Sequence, residues 1–510
     1  MKPHATMLHR RPLWTGESLV RALSLAEDAL PCHVGPIEYV EFDAFQVSPG
    51  ALFIPRFVPK VPIVEDEPPV LNEAIERALF RGATLAITDE PLEGFRTDAP
   101  ILKVPDRFEA FTRLAEIGRN RVERALIGVT GSHGKTTTKD LLHQTFAFFG
   151  PTTKTLANSN GPNGIASTLA SIPPGTQFCS VELGTSLPGA LAETAPMVTP
   201  DIAVLTHVGH SHRANFPSKE AILREKAEVL WAARGDYPVL VGPSVAALAL
   251  QTGTRLGREV FVVGEDADAF ARLESCSITA RRTKAEIAVD GQQIIVDVPQ
   301  PGVGYAHAAA FVLAIARLLG MPLHDVAEAM RGFQHPHVQR GARWRLNPGG
   351  RGEFVEYIDD AQNSTPDSMR ALLAYLRQRQ PVRKVLVAGD MLDLGDDEEA
   401  LHRGLAPDVI GAGIDLFVGI GPLASALAEE IEGVVPTKVY EDIEDAAKLL
   451  RSEMRAGDLI VVKGTGYRSL GRIRNLIAAA RFQLPIRSDW LIEDGVPEQR
   501  VRPVSATNRG

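Results

Sequence analysis

Cysteine is the scarcest structural resource of this chain. Three stand in 510 residues, at Cys32, Cys179 and Cys276, far apart and with no CxxC pair. That excludes a disulfide framework and a thiolate zinc centre, and it fits a reducing, cytoplasmic compartment. Long apolar runs are missing as well. The longest, Ala308 to Met321, is broken by Arg317 and falls short of the ~20 residues a bilayer needs, so it reads as a buried helix. The opening MKPHATMLHRRPLW has no apolar stretch behind its basic residues, so no secretory signal is expected. Nor is there a cation excess: 54 Lys plus Arg face 63 Asp plus Glu, a net charge of -9. A nucleic-acid backbone needs clustered cations, so such a partner is disfavoured. A small anionic ligand is not, because one loop can hold a phosphate whatever the net charge. No fixed-period repeat is present.

What is present is ordinary globular material: 45% hydrophobic and 23% charged residues, enough for a large core and about three domains at roughly 150 residues each. Residues 1–122 read as a small mixed domain, with short strands at Glu38–Phe45, Ala51–Pro55 and Thr84–Thr88 and a helix over Asn72–Phe80. Val58–Pro69 is Pro-rich and acidic, a loop. Over residues 123–337, apolar runs at Ala125–Thr130, Phe178–Leu183, Ile202–Thr206 and Val239–Gly242 alternate with helical patterns. A second such series fills residues 338–482, with strands at Phe354–Ile358, Lys384–Ala388, Leu416–Gly419 and Leu459–Val462. Strands alternating with helices imply an α/β fold with parallel sheets, whose ligands gather at the carboxyl ends of strands. Residues 483–510 are rich in proline and charge and read as a peripheral tail.

The sharpest motif is Gly128-Val-Thr-Gly-Ser-His-Gly-Lys-Thr-Thr-Thr138. A buried strand runs into a glycine loop and then a helix. Backbone N–H groups of such a loop face phosphate oxygens, and the helix N-terminus adds positive potential. Thr130, Gly131, Ser132, His133, Gly134, Lys135, Thr136 and Thr137 would cradle ATP. Lys135 would reach the β/γ-phosphates, and the Thr136 hydroxyl would hold Mg²⁺. The strict GxxxxGK[ST] spacing fails, since Val129 stands at its first glycine; a Gly-rich turn that binds nothing is the alternative. Glu182 closes another apolar strand about 50 residues later, as an acid that shares Mg²⁺ with the threonine hydroxyl would.

Thr130 to Lys139, with its T-G-S-x-G-K-T-T-T-K pattern, resembles the Mur ligase family, in particular its branch that joins D-alanyl-D-alanine to UDP-N-acetylmuramoyl-tripeptide. The resemblance runs from about residue 120 to 475 and more faintly through the first domain. It implies three domains, for acceptor binding, ATP chemistry and a Rossmann-like C-terminal unit. By similarity, His212 in Thr206-His-Val-Gly-His-Ser-His212 binds a second metal. The family usually has Asn where His207 stands, and an acidic residue or an Asp/Glu-Ala pair before the final His, where His210 stands here. Three histidines at this spacing also admit a zinc site. Lys226, in Arg224-Glu-Lys226-Ala-Glu228, matches the family lysine that CO₂ carboxylates into a metal ligand; a plain surface helix is the other reading. Asn160, in Asn158-Ser-Asn160-Gly-Pro-Asn163-Gly164, matches an amide-rich segment beside the reacting carboxylate. Arg340 matches a nucleotide-phosphate contact. Asp359, Asp360, Asn363, Pro366, Ser368 and Met369 match a C-terminal D-D-x-x-N segment, and Asp359 and Asn363 are expected to contact nucleotide. Asp390, Asp393 and His402 match a G-D-M-x-E-L-G…H segment, and Lys463 a V-K-G-S strand end.

Two segments depart from the family pattern. A D-S-R-x-x-x-P-G-x-L-F stretch that binds uridine nucleotide reads Asp43-Ala44-Phe45 to Phe53 here, without its Ser and Arg. Loss of that Arg removes a bidentate pair to a diphosphate. The adenine-side H-N-x-x-N reads His307-Ala-Ala-Ala-Phe311, leaving Phe311 to stack on the base. The resemblance implies a monomeric cytoplasmic enzyme that uses ATP, one or two Mg²⁺ and a carboxylated Lys226. Lys135, Lys226, His212 and Asn160 would be its catalytic groups, acting on a carboxylate acceptor and an amino-acid or dipeptide amine. A Mur-like ligase acting on a non-nucleotide acid, and a catalytically silent nucleotide-binding subunit, are the alternatives.

Overall fold

The computed structural model describes residues 12–30, 34–57, 71–93, 95, 99–156, 159–209, 214–257, 259–279, 281–334, 342–346, 354–465, 469–481 and 492–493. His210, His212, Arg340, Asn158, the 58–69 segment and most of the 483–510 tail lie outside these. Three sheets follow one another along the chain. The first is four-stranded and parallel, in the order β1 (Tyr39–Glu41), β2 (Ala51–Phe53), β3 (Leu85–Thr88) and β4 (Ile101–Lys103).

The second sheet contains β5 (Ala125–Thr130), β6 (Thr152–Lys154), β7 (Phe178–Glu182), β8 (Ile202–Leu205), β9 (Val239–Val241), β10 (Val260–Gly264), β11 (Ala271–Ile278), β12 (Thr283–Val289) and β13 (Gln292–Val298). Their order is β13-β12-β11-β10-β9-β8-β5-β7-β6. Strand β5 lies between β7 and β8, parallel to both. All six of its residues are buried, which is why it reads as an unbroken apolar run rather than an alternation. The chain winds in opposite directions on its two sides, so β5 is the switch point where a ligand crevice opens.

The meander β11–β13 is antiparallel and was not among the strands the sequence led us to expect. Its signal was present. Burial alternates along β12, and Asp290-Gly291, both at positive φ (46° and 79°), form the turn that a D-G pair favours between hairpin strands. The Ala308–Met321 run is a buried helix as expected, spanning Val303–Leu318 with Ala308 through Ala316 all buried. Helices apolar all round belong inside a core.

The third sheet has β14 (Ala342–Leu346), β15 (Val355–Asp360), β16 (Arg383–Gly389), β17 (Leu416–Ile420), β18 (Thr437–Tyr440), β19 (Asp458–Lys463) and β20 (Ile492–Glu493). Their order is β18-β17-β16-β19-β15-β14-β20, parallel from β18 to β15. Two residues of the tail thus add an edge strand to β14.

The first sheet is seated on the central one through the helix Pro162–Ala170. Trp14 Nε1 donates to Ala170 O (2.9 Å), Ser167 Oγ to Val40 O (2.7 Å), and the Asn163 amide clasps both backbone groups of Phe57 (3.0 and 3.1 Å). Leu13, Trp14 and Phe57 join one apolar cluster with Ile165 and Leu169. No helix among the described residues is long and apolar enough to cross a membrane.

Candidate active site

Strand β5 delivers Thr130 to a loop whose shape requires glycine at two places. A Cβ on Gly131 would lie 2.1 Å from Thr206 Oγ1. Gly134 adopts a left-handed conformation (φ 81°) as the cap of the helix Lys135–Phe146, a state that costs an L side chain free energy. The loop is fastened to the segment after β8. Ser132 N donates to His207 O (2.7 Å), Gly209 N to Ser132 Oγ (2.9 Å), and Thr206 Oγ1 to His133 O (2.6 Å). Lys135 Nζ donates back to Gly131 O (2.7 Å), which parks the ammonium over the loop.

Behind the loop lies a polar cluster, buried except for the half-buried Asn160. The Thr136 hydroxyl donates to Glu182 Oε2 (2.8 Å), and Asn160 Nδ2 donates to Oε1 of the same carboxylate (2.9 Å). Thr155 Oγ1 accepts from Glu182 N (2.6 Å). Lys139 Nζ stands 3.3 Å from Glu182 Oε2 with its side chain wholly buried. The sequence pairs Thr136 with Glu182 through Mg²⁺ and assigns Asn160 separately to the substrate side; the structure bonds all three and adds Lys139. Its spacing four residues after Lys135 would have put both lysines on one helix face. Oxygen donors from Thr136 and Glu182 at a phosphate loop are a set suited to a hard cation such as Mg²⁺.

Lys226, on the helix Lys219–Trp231, is also buried. Burial lowers its pKa from 10.5 to about 7, helped by repulsion from Lys135 and opposed by Glu225. Near neutral pH the amine is therefore part uncharged, the form that can add to CO₂. Glu225, which the sequence reading passed over, accepts from Gly189 N and Leu191 N (2.7 Å each). It thereby anchors the N-terminus of the helix Ala190–Val198.

In front of the loop a cavity of about 640 Å³ separates the central and C-terminal sheets, within the size range of ligand pockets. Ser132, His133, Gly134, Lys135, Thr136, Thr137, His307 and Asn363 line it, and so does Phe311. Thr130 and Gly131 form the base of the loop. His307 Nε2 lies 3.2 Å from Glu265 Oε1. His133 and His207 stack with ring centroids 3.7 Å apart. Burial first, then His207, lower the His133 pKa to about 3, so this imidazole is neutral at working pH.

The expectation for Asp359 needs correcting. Adjacent residues of a strand face opposite sides, and it is Asp360 that lines the cavity, paired with Lys463 Nζ at 2.7 Å. Asp359 is fully buried. Burial raises its pKa to about 7, with Arg474 opposing. Asp390 and His402 are likewise structural in their contacts. Asp390 Oδ1 accepts from Leu423 N and Ala424 N (3.0 and 2.9 Å) at the start of the helix Pro422–Ile431, and His402 Nε2 accepts from Met391 N (2.9 Å). The departure at Ala44-Phe45 leaves Ala44 buried and Phe45 exposed under the Arg77 guanidinium, 4.2 Å from the ring centroid.

A nucleotide-sized cleft above a phosphate loop, walled by a second α/β sheet, defines a class of two-sheet ATP-type enzymes. The particular family follows from comparison with known proteins. The Mur ligase middle-domain family model matches residues 129–316, and the model for the Mur ligase glutamate ligase domain matches residues 344–466. The UDP-N-acetylmuramoyl-tripeptide–D-alanyl-D-alanine ligase of Mycobacterium tuberculosis (strain ATCC 25618 / H37Rv) is 31% identical over 384 residues, covering 69% of this chain and 73% of that one. The enzyme of that name from Synechocystis sp. is 29% identical over 416 residues, covering 79% and 86%. Among solved structures, MurF from Acinetobacter baumannii superposes with a TM-score of 0.74 at 22% identity, covering 91% of this chain and 99% of that one. MurF from Thermotoga maritima in complex with ADP gives 0.70 at 21%, covering 87% and 97%. These structures share the fold. The chain belongs to the Mur ligase family.

Proposed function

We propose that the chain is an ATP-dependent, ADP-forming ligase that joins UDP-N-acetylmuramoyl-tripeptide to D-alanyl-D-alanine, the reaction its curated relatives are named for. The observation that carries this reading is the phosphate loop, with Thr136, Glu182 and Asn160 bonded behind it and a large cleft in front. An oxygen of the tripeptide carboxylate attacks the γ-phosphorus, ADP leaves, and an acyl phosphate remains. The amine then attacks the acyl carbon, and phosphate departs with the former carboxylate oxygen as the amine loses a proton. Lys135 swings from Gly131 O onto the transferring phosphoryl group, balancing charge that develops on its oxygens. Asn160 orients Glu182 through its amide hydrogen bond, and its amide would help direct the reacting carboxylate.

Thr136 and Glu182 would hold Mg²⁺, which screens phosphate charge. Lys226, as a carbamate, and His212 would hold a second. Gly134 and the helix start present N–H groups to phosphate, while Phe311 and His307 bound the cleft on the side suited to adenine. Asn363 lines the C-terminal wall, which excludes water from the acyl phosphate, and Arg340 would contact nucleotide phosphate. In this reading the chain divides at residues 122 and 337 into acceptor, ATP and C-terminal units, and acts as a cytoplasmic monomer.

ADP release across a panel of acceptors tests the assignment. Turnover is expected with UDP-N-acetylmuramoyl-tripeptide only when D-alanyl-D-alanine and Mg²⁺ are both present. No turnover there, with release on a non-nucleotide acid, would replace the acceptor.

A further inference from the structure

Three side chains that can ligate a metal meet at the lip of the cleft without having a part in the chemistry above. His133 comes from the phosphate loop, His207 from the segment after β8, and Asp367 from the first turn of the helix Pro366–Arg377 in the C-terminal unit. One ligand atom from each lies within 4.8 Å of the other two. Four bonds to zinc at about 2.0–2.1 Å would place such atoms somewhat closer together, a difference that side-chain rotation can close.

The two imidazoles are brought together by the backbone. The Ser132–His207, Gly209–Ser132 and Thr206–His133 hydrogen bonds zip the two segments side by side, which keeps the two rings adjacent; rotation of one ring out of the stack turns both nitrogens onto one ion. Gly209 keeps the space above them open. A Cβ there would come 2.6 Å from Asp367 Oδ2 and 2.9 Å from His207 Cε1. Carboxylate and imidazole therefore converge on one small gap that only glycine leaves free. Arg370 Nη1 stands 3.7 Å from Asp367 Oδ1, a weak competitor at the far oxygen.

We propose that His133, His207 and Asp367 form a site for a divalent transition-metal ion of the zinc class, bridging the phosphate loop and the C-terminal unit. Two imidazole nitrogens and one carboxylate oxygen match the preferences of Zn²⁺ or Co²⁺, whereas Mg²⁺ seeks oxygen alone. Three protein ligands leave a position open for water or an incoming oxygen. Because Asp367 belongs to the opposite wall from the two histidines, the bound ion ties the cleft shut. This site is separate from the Thr136–Glu182 pair, and it stands whether or not the ligase reading holds.

The test is metal binding by the full-length, metal-free protein without nucleotide. Co²⁺ is titrated by visible absorption and Zn²⁺ by calorimetry. One equivalent is expected, with intense Co²⁺ bands of a four- or five-coordinate site, undiminished by millimolar Mg²⁺. His133→Asn, His207→Asn and Asp367→Asn should each weaken binding by at least about 10–100-fold, the range already seen when mere supporting groups of metal sites are changed. Gly209→Ala should weaken it too, without touching a ligand. A wild-type protein that gives no such bands, or binding that Mg²⁺ displaces, overturns the proposal. So does full affinity in Asp367→Asn alongside loss in His207→Asn, because the histidine run of the central unit would then hold the ion alone.

Discussion

Two buried acids, Glu182 and Asp390, look alike in sequence. Each ends an apolar parallel strand and is followed by a polar turn, and each matches a family motif. Their surroundings differ. Glu182 meets side chains: the Thr136 hydroxyl and Lys139 ammonium of the phosphate-loop helix, and the Asn160 amide from the segment before the helix Pro162–Ala170. Asp390 meets backbone, the Leu423 and Ala424 N–H groups that open a helix. A carboxylate answered by movable polar side chains can trade a partner for a cation. One answered by a helix N-terminus is already satisfied by the fold, and a side chain on Gly421 would collide with it at 2.2 Å. A strand-end acid is therefore only a candidate until its partners are known.

The contrast can be broken from either side. The largest effect is expected at Lys135→Ala, where kcat/KM should fall on the order of 10²–10³-fold, the scale for losing one donor to developing charge, while the melting temperature holds. Full activity there would remove the phosphate loop from the chemistry.

Lys226→Met comes next. In the wild type, the folded-state pKa near 7 lies below the unfolded 10.5, so the unfolded chain binds more protons between these values. Stability should then rise with pH across that window, and the variant should flatten the slope. Wild-type activity should depend on CO₂ and fall as pH drops below 7, where the amine is protonated. Activity indifferent to both CO₂ and the substitution would end the carbamate role.

Asp390→Ala should act on the other axis. It strands two helix N–H groups, costing about 2 kcal/mol of stability in denaturant unfolding with kcat/KM little changed. A collapse in activity with no loss of stability would make the two acids equivalent after all. The smallest effect belongs to Thr155→Val, which strips the Glu182 N–H of its acceptor at about 1 kcal/mol. A modest rise in the Mg²⁺ concentration needed for activity should accompany it.

The sequence made this contrast half visible. Runs buried on both faces, such as β5, announced the parallel strands, and the glycine loop showed through its place between an apolar run and a helical pattern, although the strict spacing fails at Val129. Thr136 could be paired with Glu182 because each sits at the end of a regular element, whereas the Asn160 bond to Glu182 appears only in the structure. The β11–β13 meander escaped because its alternation was not matched to the Asp290-Gly291 turn. Asp359 was chosen over Asp360 because a pair of adjacent acids in a strand does not say which face is the cleft; the sheet decides that. Lys139 and Glu225 were legible only as charges, since their partners lie 43 and 36 residues away along the chain. Asp367 could not be connected with His133 and His207 at all, because that meeting depends on how two sheets face each other.

The central claim is that this loop activates a carboxylate by phosphorylating it. Acceptor whose reacting carboxylate carries ¹⁸O should be turned over with ATP and D-alanyl-D-alanine, and the released phosphate analysed by mass. One ¹⁸O atom per phosphate formed is the predicted result. Unlabelled phosphate, with amide product still accumulating, would contradict the account.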